Sequence, residues 1–250
     1  MPVPPALFAV LAVLFLATVI RSALGFGEAL VAVPLLALVI PVEVAAPIAV
    51  MVSVTVALIA VIQDWRKIHL RSAALLVIST MAGIPLGLWM LKAAPEHVVK
   101  LILAIVIMAF SLNWLLGRER EELTHDRFAW LFGFGAGILG GAYGINGPPL
   151  AFYGSLRRWT PQHFRATLQG YFLPASLAGL WGYRVAGLWT PLVNRYYLLS
   201  LPCIFVAILL GRAINHRMKV QQFLRYVHCG LIVIGGILLA QALNHYFVPE

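Results

Sequence analysis

The chain has 250 residues, of which 62% are hydrophobic and only 11% charged, with a mean hydropathy of +0.92. A water-soluble domain covers itself with roughly 25% charged residues, so this composition excludes one. The formal charge of +9 does not point to nucleic acid: no basic run is interleaved with aromatic residues as a single-strand binder requires, and Lys and Arg read instead as topology signals in membrane loops.

Apolar runs bounded by charges, Pro or Gly fall at about 5–23, 29–40, 44–63, 72–91, 97–116, 128–143, 148–156, 166–185, 194–211 and 222–243. The start, Met1-Pro-Val-Pro-Pro5, lacks a positive n-region, so the first run is expected to be a retained helix rather than a cleaved leader. The runs 29–40 and 148–156 each follow a Gly-rich break. At ~1.5 Å rise per residue they fall short of the ~30 Å of hydrocarbon in a bilayer, so they are expected to be broken or re-entrant helices. One clearly hydrophilic stretch, Gly117–Arg127 (GREREELTHDR), divides the ten segments into five and five. The expected organisation is a first membrane repeat over 1–117, a cytoplasmic linker over 118–127 and a second repeat over 128–250.

Placing the loop 64–71 in the cytoplasm and letting the segments alternate leaves only Lys92, Lys100, Arg184 and Arg195 of the 18 basic residues outside. That is a strong positive-inside bias. It predicts a multi-pass protein of the cell inner (plasma) membrane with both termini on the outer side. If the two short segments are re-entrant, the wider topology survives and Arg21 moves from the surface into the membrane. An odd number of segments per half inverts any duplication. The sequence supports one: Leu24-Gly-Phe-Gly-Glu28 followed by Pro41-Val-Glu43 mirrors Tyr143-Gly-Ile-Asn-Gly147 followed by Pro161-Gln-His163, about 120 positions on, and Gly87 mirrors Gly211. The fold class is therefore an all-α polytopic membrane protein of two inverted repeats, with short broken or re-entrant helices. Such a duplication is the architecture of secondary transporters.

The stretches Ala23–Pro34 (ALGFGEALVAVP) and Gly133–Pro148 (GFGAGILGGAYGINGP), with the hydrophilic mid-chain loop, make the chain resemble the TauE/SafE sulfite-exporter family over about residues 8–243. It departs from the family pattern at Glu28, where a small residue is usual, and at Pro148-Pro149, which interrupt the second break. The resemblance implies transport of a small anion, sulfite or an organosulfonate such as sulfoacetate. Composition alone says nothing of sulfur.

Inverted-repeat transporters bind near the midplane, where broken helices leave backbone groups free. A helix beginning at a break offers its unpaired N–H groups and positive dipole end to an anion. The candidates here are the helix starts after Gly27 and after Gly147, with Gly25, Phe26 and Gly144 in the turns before them. Close packing of helices is the competing role for these glycines. Pro148 and Pro149 contribute no N–H, which leaves the Asn146 amide and the Tyr143 hydroxyl as donors in the second half. Gln169 is a further candidate donor, with a structural interhelical bond as its alternative. Arg165, which opens the helix after the second short segment, is read as a boundary charge.

Arg21 reads equally as a guanidinium fixed near the first break, able to make paired bonds to a sulfonate, and as a side chain snorkelling to the cytoplasmic surface. Glu28 is the one carboxylate clearly inside an apolar stretch, which is by default a functional position. It either couples proton movement to anion movement or pairs structurally with Arg21. His228 alone, without a second ligand in its segment, builds no metal site, and Cys203 and Cys229 lie in apolar segments that offer neither a disulfide framework nor a CxxC motif. Trp89, Trp114, Trp130, Trp159 and Trp189 sit near segment ends and read as an aromatic belt. No catalytic constellation, cofactor, metal or nucleic acid is expected. The expected partners are a small anion and the lipid bilayer, with association into homo-oligomers left open. A passive anion channel, an intramembrane enzyme and a non-transporting scaffold subunit are the rival classes. The enzyme is disfavoured because one lone Glu and one isolated His make no acid–base set.

Overall fold

The computed structural model describes residues 6–25, 27–64, 70–117, 123, 128–215 and 220–247. Among them it is all-helical, with ten helices: α1 (Leu7–Leu24), α2 (Glu28–Leu36), α3 (Val42–Asp64), α4 (Leu70–Ala93), α5 (Glu96–Leu115), α6 (Ala129–Tyr143), α7 (Gly147–Leu156), α8 (Pro161–Val185), α9 (Pro191–Asn215) and α10 (Val220–Phe247). Every apolar run of the sequence has become one helix. The largest shift at any one end is at the start of α8, because Pro161 opens it with a polar first turn that hydropathy passes over.

Five helices (α3, α4, α5, α9 and α10) are long and apolar enough to cross a bilayer, and α1 and α6 are shorter apolar helices. Large apolar side chains such as Phe8, Ile62, Trp89, Trp181 and Leu209 stand mostly exposed on the outside. A surface of that kind suits lipid and not water, so the chain is a multi-pass membrane protein. The innermost long span is α3, where 67% of the apolar window is buried, against 28% in α5 and in α10.

The two short helices are short for local reasons. Gly25, with φ 86°, ends α1, and Gly27, with φ 93°, precedes α2. A β-carbon in that left-handed region costs ~1–2 kcal/mol, so two glycines two residues apart make a sharp break inexpensive. Pro34 sits inside α2, and the chain leaves that helix through tighter turns, with Val39 N–H donating to the Leu36 carbonyl at 2.9 Å. Pro41 then starts α3, its carbonyl accepting from Val44 and Ala45. In the second half Gly144, with φ 68°, ends α6, and α7 starts at Gly147 with prolines in its first turn, where a missing N–H is harmless. At ~1.5 Å per residue, the 9 residues of α2 and the 10 of α7 extend ~14 and ~15 Å, about half a bilayer core.

Glycine governs the tightest helix pair. A β-carbon on Gly83 or Gly87 of α4 would strike the Phe134 or Ile138 carbonyl of α6, and one on Gly137 or Gly141 would strike the Thr80 or Ile84 carbonyl of α4. The backbones touch along two interleaved rows of glycine, the small-residue contact that replaces hydrophobic driving force between helices in lipid. The α6 carbonyls so exposed are reached by neighbours: Thr80 Oγ1 donates to Gly133 at 2.8 Å and Tyr183 Oη to Gly140 at 3.1 Å. On the other side of the molecule Gly211 of α9 rests on Val19 and Ala23 of α1.

Candidate functional site

The two breaks meet. Gly27 and Glu28 from the first, and Gly144, Asn146 and Gly147 from the second, line one small cavity together with Arg21. The last turn of α1 carries Arg21, and the first residue of α2 is Glu28. The glycine break folds one helix end back on the other, so residues seven apart become partners. Arg21 Nη1 donates to Glu28 Oε2 at 2.7 Å and to Ser53 Oγ of α3 at 2.5 Å. Its guanidinium lies over the Phe172 ring of α8, 5.1 Å from the centroid. Arg21 is 7% exposed and Glu28 1%.

Arg21 is therefore interior and not at a surface, and the snorkelling alternative is not what the fold adopts. Burying two charges is costly unless each meets its opposite and further hydrogen bonds. Ser53, Phe172 and the start of α2 supply that environment. The compensation is incomplete on one atom, since Glu28 Oε1 is buried without a hydrogen-bond partner among the described residues. The cavity beside this pair measures about 20 Å³, which holds roughly one water and no larger anion.

The remaining sequence candidates divide. Asn146 lines the cavity and also hydrogen-bonds to the Tyr171 hydroxyl, which in turn meets Thr80 Oγ1 at 2.8 Å. Gly144 and Gly147 line the cavity, and Gly25 instead closes the end of α1, its N–H donating to the Arg21 carbonyl at 2.6 Å. Tyr143 is not a pocket donor: its hydroxyl turns to α5 and donates to the Val99 carbonyl at 3.0 Å, because the last residue of α6 faces that helix and not the break. Phe26 lies outside the described residues, as do the side chains of Arg165 and Gln169. Sequence reasoning missed Ser53 and Phe172. Two hydroxyls, Ser53 and Thr55, in the middle of apolar α3 were the available signal for Ser53; nothing in the sequence singled out Phe172.

A second cavity of about 340 Å³ lies between α5, α7, the start of α8 and α10, walled by Phe110, Trp114, Phe152, Trp159 and Phe164 beside His228. Trp114 and Trp159, both half-buried, line this cavity. His228 stacks on Trp114 with ring centroids 4.5 Å apart and pairs through Nδ1 with Ser111 Oγ at 3.3 Å. Beyond α7 the linker residue Leu123 donates to the Leu156 carbonyl at 2.9 Å, and its own carbonyl accepts from Arg157 Nη1 at 2.6 Å.

A family model described as sulfite exporter TauE/SafE matches residues 10–239 of the chain. No curated protein and no solved structure matches it.

Proposed function

Because the chain belongs to the TauE/SafE sulfite exporter family, we propose that it is a secondary transporter of small sulfur oxyanions, sulfite or an organosulfonate, that binds its substrate at Arg21. The observation that carries this reading is the convergence of both helix breaks on one buried, ion-paired guanidinium. Arg21 binds the anion, Ser53 and Asn146 donate to its remaining oxygens, and the starts of α2 and α7 supply the positive ends of two helix dipoles. Gly27, Gly144 and Gly147 let backbone approach the ligand.

Glu28 gives the site its control. Its carboxylate holds the place at Arg21 that an incoming oxyanion would take, in a cavity too small for both. Anion binding therefore requires Glu28 to withdraw, and a proton on Glu28 removes the competing charge. Oε1, without a partner among the described residues, is the atom at which that proton would reside. One proton taken up per anion bound makes anion affinity rise as pH falls, by up to tenfold per unit. In Glu28→Gln that dependence is expected to vanish, with binding at neutral pH tighter than in the parent. Isothermal titration with one anion at several pH values measures both, and an unchanged slope in the variant would remove Glu28 from the coupling.

Alternating access follows from an inverted pair of five-helix repeats, residues 1–117 and 128–250 joined by 118–127, in which one bundle rocks against another. Three correspondences support the duplication. The helix-ending glycines Gly25 and Gly144, both with positive φ, stand at the same places. Gly87 packs on Ile138 and Ala142 as Gly211 packs on Val19 and Ala23, and one constant offset relates Val19 to Ile138, Ala23 to Ala142 and Gly25 to Gly144. The basic residues then place the linker in the cytoplasm and both termini outside.

The direct test is thermal stability of the purified protein against sulfite, sulfate, sulfoacetate, taurine, acetate and chloride at fixed ionic strength. A ligand that binds only the folded state adds about 2.7 kcal/mol at a hundredfold excess over Kd. A shift confined to sulfite or sulfoacetate supports the assignment, and a flat panel counts against it.

A further inference from the structure

The two broken helices occupy matching places in the chain and unequal places in the structure. Along α2, residues Ala32, Val33 and Leu36 are fully buried, and the helix packs against both α5 and α10. At the same offset that relates Gly25 to Gly144, their counterparts on α7 are Ala151, Phe152 and Ser155. These three line the cavity of about 340 Å³ that separates α7 from α5 and α10. Two helices with equivalent roles are thus packed shut on one side of the molecule and held apart on the other.

The open side has the dimensions and chemistry of a passage. Its volume suits a small organic ligand. Its walls are aromatic, with Asn113, Ser155 and His228 as polar groups. Gly147, at the other end of the same helix, lines the Arg21 cavity, and Gly147 and Ser155 are separated by about 12 Å of helix. The large cavity lies where α5 and α7 end and α10 begins. The segments adjoining those ends, 118–127 and 216–219, carry Arg118, Arg120, Arg127, Arg217 and Lys219, and Arg212 lies in the last turn of α9.

We propose that the aromatic cavity beside α7 is the cytoplasmic vestibule through which a small organic anion reaches Arg21, and that the fold is captured in its inward-facing state, with the equivalent outward vestibule beside α2 closed. This rests on the transporter reading above. Aromatic walls suit the carbon body of an organosulfonate, and the hydroxyl, amide and imidazole suit its oxygens. No fixed charge is needed in the vestibule, which would otherwise hold the anion short of Arg21.

The test is sided labelling of Ser155→Cys in a Cys203→Ala/Cys229→Ala background, using a charged, membrane-impermeant maleimide on vesicles of both orientations. The thiol is expected to react at least tenfold faster in inside-out vesicles, and labelling is expected to stop sulfoacetate flux relative to the same variant before labelling. Leu36→Cys, its counterpart on α2, is expected to stay unlabelled in inside-out vesicles and to react after denaturation, which shows that the thiol is competent. Faster reaction from the outside would overturn the proposal. So would reaction with only a lipid-soluble reagent, which would mean the cavity opens sideways to the bilayer, or labelling that leaves flux intact. If the parent carries no anion at all, the transport reading fails, while the sidedness of labelling still decides where the cavity opens.

Discussion

Arg21→Ala is expected to abolish saturable anion flux and also to lower the unfolding free energy by about 3–5 kcal/mol, the cost of leaving one buried charge without its partner. In the parent, the guanidinium satisfies Glu28 Oε2 and Ser53 Oγ at once. Its removal strands a carboxylate that is 1% exposed and whose other oxygen already lacks a donor among the described residues. The stability loss belongs to the stranded charge rather than to the contact itself, so the double variant Arg21→Met/Glu28→Leu should recover much of it and still carry no anion. Thermal unfolding of the two variants in detergent, beside flux in proteoliposomes, separates the effects. If the double variant is as unstable as Arg21→Ala, the pair is not what holds this region, and if Arg21→Ala transports normally the site lies elsewhere.

The second large effect concerns α4 and α6. Gly137→Leu is expected to leave almost no folded protein, because even the first carbon of a side chain there would collide with the Thr80 carbonyl and stand 2.9 Å from the Gly83 Cα. Both neighbours are backbone and cannot turn aside. Gly137→Ala places that same first carbon and should cost at least the ~1–3 kcal/mol usual for overpacking. Gly135, two positions back on the same helix, has no neighbour within 4 Å of the place a β-carbon would occupy. Gly135→Ala should thus be neutral or stabilising by up to about 1 kcal/mol, the helix-propensity difference. Folded yield by size exclusion and thermal midpoint in detergent give the comparison. Equal losses at 135 and 137 would mean that the two glycine rows do not interleave.

Much of this architecture is legible in the chain itself. Apolar run length and Gly/Pro breaks predict ten helices, and ten are found among the described residues, because in lipid a backbone segment has little choice but to satisfy its own hydrogen bonds. The two breaks are visible as Gly25-Phe-Gly27 and Gly144-Ile-Asn-Gly147, since only glycine readily tolerates the positive φ that such a reversal needs. That they meet at one cavity is a finding of the fold.

What the sequence leaves open is tertiary. Arg21 fits either a surface or an interior position until the break folds α1 back against α2. Tyr143 adjoins the second break in the chain, yet its hydroxyl reaches Val99 on α5; proximity in sequence does not fix the direction of a side chain at a helix end. Ser53 and Phe172 lie on α3 and α8, far from Arg21 in the chain, and they join the site only because those two helices pack against each other beside it. Trp114 and Trp159 look like interface tryptophans by position, and that position does not reveal the cavity they line beside α7.

The ion pair at the end of α1 also carries a consequence for energetics across the membrane. Arg21 and Glu28 together sum to zero charge, so the empty site is neutral. Exchange the carboxylate's charge for a univalent sulfonate, with the proton on Glu28, and the loaded site sums to zero again. A carrier that crosses neutral in both directions does no electrical work, although each uncompensated charge would exchange about 2.3 kcal/mol per 100 mV with the field. Voltage would then leave the cycle unmoved, and the proton gradient alone would set how steeply the anion can be concentrated: tenfold for each unit of pH difference.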